Sequence, residues 1–285
     1  MLTRILPRLD IKGSNLVKGI NLEGLRVLGK PEAFARAYYE QGADELILMD
    51  VVASLYGRNS LLEIVERTAN EVFIPLVVGG GLRKTSDIRD VLRAGADKVT
   101  VNTAAIRRPE FIREAAGQFG SSTIVVSIEA MRRMDGSYEA YTDNGREKTG
   151  VDVIQWAEQS VQLGAGEILV TSIEREGAGR GYDLELTHQV ASAVDVPVIA
   201  CGGAGSPADV LEAIGAGASA VALAAMLHYD VVTRLATDRA DFASEINLQH
   251  LDRPGFGRVQ ATSLTDLKRF LTEHGIISRN SVPNA

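Results

Sequence analysis

The sequence predicts a closed parallel (β/α)8 barrel made of two similar halves, and three observations carry that prediction. Short apolar runs alternate with amphipathic runs about eight times along the 285 residues, as strands each followed by a helix would. Two of the apolar runs are near copies: Pro75-Leu76-Val77-Val78-Gly79-Gly80-Gly81 and Pro197-Val198-Ile199-Ala200-Cys201-Gly202-Gly203. The register persists around them at an offset of 122 residues. Gly42-Ala43-Asp44-Glu45-Leu46 pairs with Gly164-Ala165-Gly166-Glu167-Ile168, and Ala94-Gly95-Ala96-Asp97 with Ala216-Gly217-Ala218-Ser219. One internal duplication explains all three matches and gives four βα units to each half. An open doubly wound sheet is the alternative, but it would carry one glycine fingerprint after its first strand, and none stands there.

The elements follow in order. Ile5 to Ile11 reads as a strand, with Asp10 near its end, and Leu16 to Gly19 as a hairpin arm after the turn cluster Gly13-Ser14-Asn15. Pro31 to Gln41 is a helix opened by proline, Leu46 to Val52 a strand, Ser54 to Asn59 a polar loop and Leu61 to Asn70 a helix. After the first glycine strand come a helix from Thr85 to Ala94 opened by a Thr-Ser-Asp cap cluster, a strand from Lys98 to Asn102, a helix from Pro109 to Phe119 and a strand from Ile124 to Glu129. Gly136 and Asn144-Gly145 mark a hairpin excursion between Arg132 and Thr149. Val151 to Leu163 is a helix, Glu167 to Ile173 a strand, and Glu174 to Tyr182 an irregular loop with three glycines. A helix from Leu184 to Ala193, the second glycine strand, a helix from Pro207 to Ala216 and a strand from Ala218 to Ala224 complete the alternation. Thr233 to Leu251 is charged and weakly periodic, Asp252 to Gly257 reads as a loop, and Ser263 to His274 closes the chain as a helix. A single barrel domain over residues 1–277 is expected, with an insertion at 231–260 and a disordered tail at 278–285.

Composition narrows the function. With 45% hydrophobic and 24% charged residues, the chain can bury a large core. A net charge of −7 argues against nucleic acid as the main partner. No apolar run reaches membrane-spanning length and no secretory segment opens the chain, so a cytoplasmic enzyme is expected. The single cysteine, Cys201, allows no internal disulfide and reads as a core residue. His188, His228, His250 and His274 lack metal-ligand spacing. Neither a metal nor a cofactor is expected.

Chemistry in such a barrel belongs at the C-terminal ends of the strands. Gly80 and Gly81, with Asn102 and Thr103 at the next strand end, form one candidate anion cup. Gly202 and Gly203, with Gly177, Ala224 and Ala225, form the other, and Thr171 ends the strand beside it. Backbone N–H groups do most of such binding, so small residues are what the cups need. The plainer reading is that the glycines only relieve crowding at turns. Two cups across one mouth imply a bisphosphorylated small-molecule substrate. Asp10 and Glu129 end the first and fifth strands, opposite each other, and can serve as general acid and base. Alternatively they cap helices, or pair with Lys12 or Lys18. At the other end of the strands, Arg4, Glu45, Lys98 and Glu167 would ring the barrel's bottom as two positive and two negative charges, either a working element or a plug of salt bridges.

These residues resemble a known family. Leu9-Asp10-Ile11-Lys12, Val17-Lys18-Gly19, Val78-Gly79-Gly80-Gly81, Asn102-Thr103-Ala104-Ala105, Gly164 to Leu169, Gly181-Tyr182-Asp183 and Gly202-Gly203-Ala204-Gly205 are similar to the cyclase subunit of imidazole glycerol phosphate synthase, from histidine biosynthesis. The resemblance implies a TIM barrel and an ammonia-dependent lyase. Such an enzyme converts a phosphoribulosyl-formimino aminoimidazole carboxamide ribotide to imidazole glycerol phosphate and aminoimidazole carboxamide ribotide. It implies Asp10 and Glu129 as the acid–base pair, and substrate contacts from Lys18, Glu176 and the cups. It also implies a glutaminase subunit docked at the bottom around Asp97, with ammonia passing a gate of Arg4, Glu45, Lys98 and Glu167. The sequence departs from the family at Glu129, where aspartate is usual, and at Arg8, where cysteine is usual. Further departures are the Glu174-Arg175-Glu176-Gly177-Ala178 loop in place of Asp-Arg-Asp-Gly-Thr, and the segment 231–260. Those departures also suit a paralogue that supplies ammonia for amidation of surface-polysaccharide sugars, or a non-catalytic ammonia conduit.

Overall fold

Alternate residues of a strand face opposite ways, and that period of two builds the interior of this protein. In the computed structural model, which describes residues 2–53, 60–238 and 258–278, the first strand is β1 (Arg4–Lys12). Its Arg4, Leu6, Arg8 and Asp10 point along the axis of a barrel, while Ile5, Leu9 and Ile11 pack outward in the core shared with the helices. Eight parallel strands close the barrel in the order β1, β4 (Leu46–Asp50), β5 (Leu76–Gly79), β6 (Lys98–Val101), β7 (Ile124–Arg132), β10 (Glu167–Ser172), β11 (Val198–Cys201) and β12 (Ala220–Leu223). Closure is made by β12 pairing with β1, Arg4 beside Ala220, so the ring of eight parallel strands has no free edge. This is the expected (β/α)8 barrel.

The helices cover it outside. They are α1 (Pro31–Glu40), α2 (Ser60–Glu71), α3 (Thr85–Arg93), the short α4 (Thr103–Arg107), α5 (Glu110–Phe119), α6 (Val153–Gln162), α7 (Leu184–Ala193), α8 (Pro207–Gly215), α9 (Ala225–Asp238) and α10 (Leu264–Glu273). The duplication is visible down to single bonds. Asp87 accepts from the N–H groups of Arg83 and Lys84 at 2.8 and 3.2 Å, and Asp209 from those of Gly205 and Ser206 at 2.7 and 2.8 Å. The cap residue of α3 is therefore Lys84, one position ahead of the cluster expected from sequence, and Asp87 does the capping from the third helical position.

Two hairpins leave the barrel at its top. One is β2 (Asn15–Ile20) with β3 (Glu23–Gly29), whose second arm the sequence did not reveal. The other is β8 (Tyr138–Thr142) with β9 (Glu147–Asp152), the predicted excursion. The start of the expected insertion is helical, because α9 runs to Asp238 with Val231 and Val232 buried in the core. The rest of the span to residue 257 lies outside the described residues, as does the loop at 54–59. Ser278 is buried and bridges to Thr3, so the described chain is ordered to its last residue. Residues 279–285 lie outside the description.

Candidate active site

Four layers of inward side chains stack along the barrel axis. At the bottom Arg4 Nη1 donates to Glu45 at 2.7 Å and to Glu167 at 3.1 Å, and Lys98 Nζ to Glu45 at 3.2 Å and Glu167 at 2.6 Å. The four form the closed ring of alternating charge expected from sequence. Burial would drain the Arg4 charge, but Glu167 and Glu45 outweigh it and hold its pKa up. Above the ring lies an apolar layer of Leu6, Ile47, Val77, Val125, Leu169 and Ile199. The next layer contains Arg8, Thr171 and Cys201, and the mouth carries Asp10 and Glu129.

Asp10 is not free, nor is it paired with Lys12 or Lys18. Its Oδ1 accepts from Arg8 Nε at 2.8 Å, and both residues are buried. Arg8 in turn reaches across the barrel, with Nη1 3.3 Å from Thr171 Oγ1 and 3.4 Å from Cys201 Sγ. Lys18 pairs instead with Glu176. Cys201 is the small interior residue the sequence suggested, its thiol pushed up by burial.

Glu129 accepts from the Gly145 N–H at 2.8 Å. The register that puts Glu129 opposite Tyr141 folds the β8–β9 turn back over the mouth. In that turn Asn144 donates to the Leu22 carbonyl at 3.2 Å, and Leu22 packs on Tyr141 and Ile173. Burial pushes the Glu129 pKa from 4.5 to about 7, against the Gly145 N–H and Arg8, which pull it down, while Asp10 and Asp143 push it further up. A carboxyl raised in this way is stabilising below about pH 4.5, and that contribution is lost as pH rises through 7. Two and a half pH units are worth roughly 3 kcal/mol. Glu129→Gln, which keeps the acceptor for Gly145, is therefore expected to raise the Tm at pH 8 and not at pH 5. Thermal melts of both proteins at the two pH values check this.

The first cup is open. A cavity of about 290 Å³ runs from Gly80 and Gly81 past Asn102 and Thr103 to Glu129. Gly80 and Gly81 have φ of +109° and +63°, and a Cβ on Gly80 would lie 2.3 Å from the Asp50 carbonyl oxygen, so only glycine fits there. Asn102 Nδ2 donates to the Tyr141 carbonyl at 3.2 Å, its Oδ1 is buried without a partner, and the Thr103 hydroxyl accepts from the Asp143 N–H at 3.1 Å. Sequence reasoning missed Arg83, Arg107 and Asn144 in this lining. Asn144-Gly145 was visible as a turn signal, but only strand register shows where the turn lands.

The second cup has the same plan and a different content. Gly202, Gly203, Gly177, Ala224 and Ala225 do come together, with Ala225 opening α9 as Thr103 opens α4. The space left is about 20 Å³, with Lys18 and Glu176 among the residues that line it. Thus the residues expected to form the second cup do come together, with the Lys18–Glu176 ion pair among them. Asp97 sits exposed beside the bottom ring, with Oδ2 accepting from the Leu76 N–H at 2.9 Å, so it also ties two strands together. Among the described residues, no three His, Cys, Asp or Glu side chains cluster as metal ligands. No helix of the described residues is long and apolar enough to cross a membrane.

A family model described as "Histidine biosynthesis protein" matches residues 4–233. An imidazole glycerol phosphate synthase subunit HisF from Legionella pneumophila is 59% identical over 202 residues, covering 71% of this chain and 95% of the relative. The HisF subunits of Alkaliphilus metalliredigens and Thermobifida fusca are each 48% identical, over 231 and 235 residues, covering 81% of this chain and 92% of each relative.

Proposed function

The chain belongs to the histidine-biosynthesis family of imidazole glycerol phosphate synthase cyclase subunits, and on that premise we propose that Asp10 and Glu129 are its base and acid. As the cyclase, it is an ammonia-dependent lyase. It cleaves the phosphoribulosyl-formimino aminoimidazole carboxamide ribotide and closes the imidazole ring. Closing that ring needs a proton taken from the attacking nitrogen and a proton given to the departing group. Two carboxyls on opposite sides of a substrate, one ionised and one protonated, meet that need. The carrying observation is their difference in surroundings. Asp10 is the carboxylate of a buried ion pair with Arg8, while burial raises the Glu129 pKa to about 7, which favours its protonated form far more than an ordinary carboxyl's. The glycine cups hold the substrate's two phosphates through backbone N–H groups, with Asn102, Thr103 and Lys18 beside them.

A glutaminase subunit supplies the ammonia in this reading. It docks on the bottom, where Leu2, Phe73 and Ile277 stand 52%, 77% and 67% exposed around the charged ring, next to Asp97. Ammonia would enter by the ring of Arg4, Glu45, Lys98 and Glu167, whose four contacts must open to let it pass. Phe73→Glu is expected to weaken glutamine-driven turnover at least tenfold while ammonia-driven turnover is kept. Parallel assays with the two nitrogen sources read this out, and an equal loss in both would place the defect in the barrel and not the docking face.

The function itself is tested by rescue of a histidine auxotroph lacking the cyclase. Growth without histidine is expected. Failure of a well-expressed, folded protein to rescue would sink this reading in favour of ammonia supply to another acceptor.

A further inference from the structure

The two cups share one backbone plan, yet the free space is about 290 Å³ at the first and about 20 Å³ at the second. The smaller space holds about one water. A buried carboxylate borders it. Glu176 is 3% exposed, its Oε1 is ion-paired with Lys18 Nζ, and a Cβ on Gly202 would lie only 3.1 Å from its Oε2. The Glu176 side chain thus lies over the glycine that forms the floor of the cup.

Its surroundings suit an anion. The cup presents Lys18, 4% exposed, and the Arg8 charge acts on the same carboxylate. The loop that bears Glu176 is clamped to the first hairpin as well. The Asn21 N–H donates to the Glu176 carbonyl at 2.7 Å, and a Cβ on Gly177 would meet the Gly19 carbonyl oxygen at 2.4 Å.

We propose that Glu176 determines what the second cup accepts: its carboxylate stands in for the substrate's anion, and a phosphate enters only by displacing it from Lys18. This rests on the phosphate reading of the cups. Two negative groups cannot share the space, on grounds of volume and of like-charge repulsion. Exchange is feasible because Lys18 keeps an anionic partner throughout, so no buried cation is left uncompensated. Binding is then ordered. The end of the substrate in the first cup seats at once, and the second end waits on movement of Glu176. The cup discriminates against ligands carrying a single phosphate on that side, since they lack the first anchor that would offset the displacement. Burial alone would raise the Glu176 pKa, but Lys18 and Arg8 hold it below the ordinary value, so the occupant is charged at neutral pH.

The test counts inorganic phosphate sites by calorimetry and 31P NMR on the whole chain, unmodified and with Glu176→Ala. One site more in the variant than in the unmodified protein is expected. Glu176→Gln, which keeps the side chain's reach to Lys18 but removes its charge, replaces the alanine variant if that does not fold, and the same extra site is expected. Equal site numbers in unmodified and variant proteins overturn the proposal, as do two sites of similar affinity in the unmodified protein. If the unmodified protein binds none and the variant one, the gate stands and the phosphate role of the first cup falls.

Discussion

Asp10→Asn is expected to lower ammonia-driven turnover by about 10²–10⁴-fold, the usual scale for loss of a positioned base, and to abolish rescue of the auxotroph. Asparagine keeps an oxygen for Arg8 Nε but cannot take a proton from the reacting nitrogen. The change also leaves a fully buried guanidinium facing a neutral group, so the Tm is expected to fall too. Two readouts separate the effects. Phosphate binding in the first cup, whose glycines and helix start follow β5 and β6 and not β1, should survive, whereas turnover should not recover at temperatures well below the melting point. A variant that keeps more than a tenth of the turnover would remove Asp10 from the chemistry and leave it a structural partner of Arg8.

Much of this site could be read from the chain because it depends on strand periodicity and on duplication. Arg4, Leu6, Arg8 and Asp10 fall two apart, so a single assignment of β1 orders a charge, an apolar residue, a charge and a carboxylate along the axis. The glycine runs placed both cups, and the strand starts placed the four-membered ring. What could not be read are choices between partners far apart in sequence. Glu176 takes Lys18 across 158 residues, and Arg8 takes Thr171 across 163. Nothing local distinguishes those pairings from Lys18 with Asp10. The Lys18–Glu176 pair at the second cup was hidden for the same reason: a glutamate in a glycine-rich loop reads as solvated until its side chain is seen beside Gly202. Helix α9 escaped because the charged residues after Tyr229 masked the apolar face of Met226, Leu227, Val231 and Val232, which the core buries.

Arg8 carries the other large expectation. Arg8→Met keeps much of the volume and the apolar stem but removes the guanidinium, leaving the Asp10 carboxylate buried without its partner. Breaking one side of such a pair costs about 3–5 kcal/mol, so a marked drop in the unfolding midpoint is expected. The double variant Arg8→Met with Asp10→Asn should recover a large part of that loss, because the uncompensated charge is gone. Arg8 also bears on the acid. The charged groups facing Glu129 are Arg8 and Asp10 from β1 and Asp143 from the β8–β9 turn, and of these only Arg8 favours its ionised form. An acid works while protonated, so turnover falls as pH rises through its pKa, near 7 here. Without Arg8 the ionised form of Glu129 loses its one favourable charge, its pKa rises, and the alkaline limb of kcat/KM moves to higher pH. A purely structural arginine would lower stability and leave that limb in place. The pH–rate profile of Arg8→Met, measured with ammonia below its melting temperature, decides between them: an upward shift assigns Arg8 to tuning of Glu129, and an unchanged limb confines it to holding Asp10.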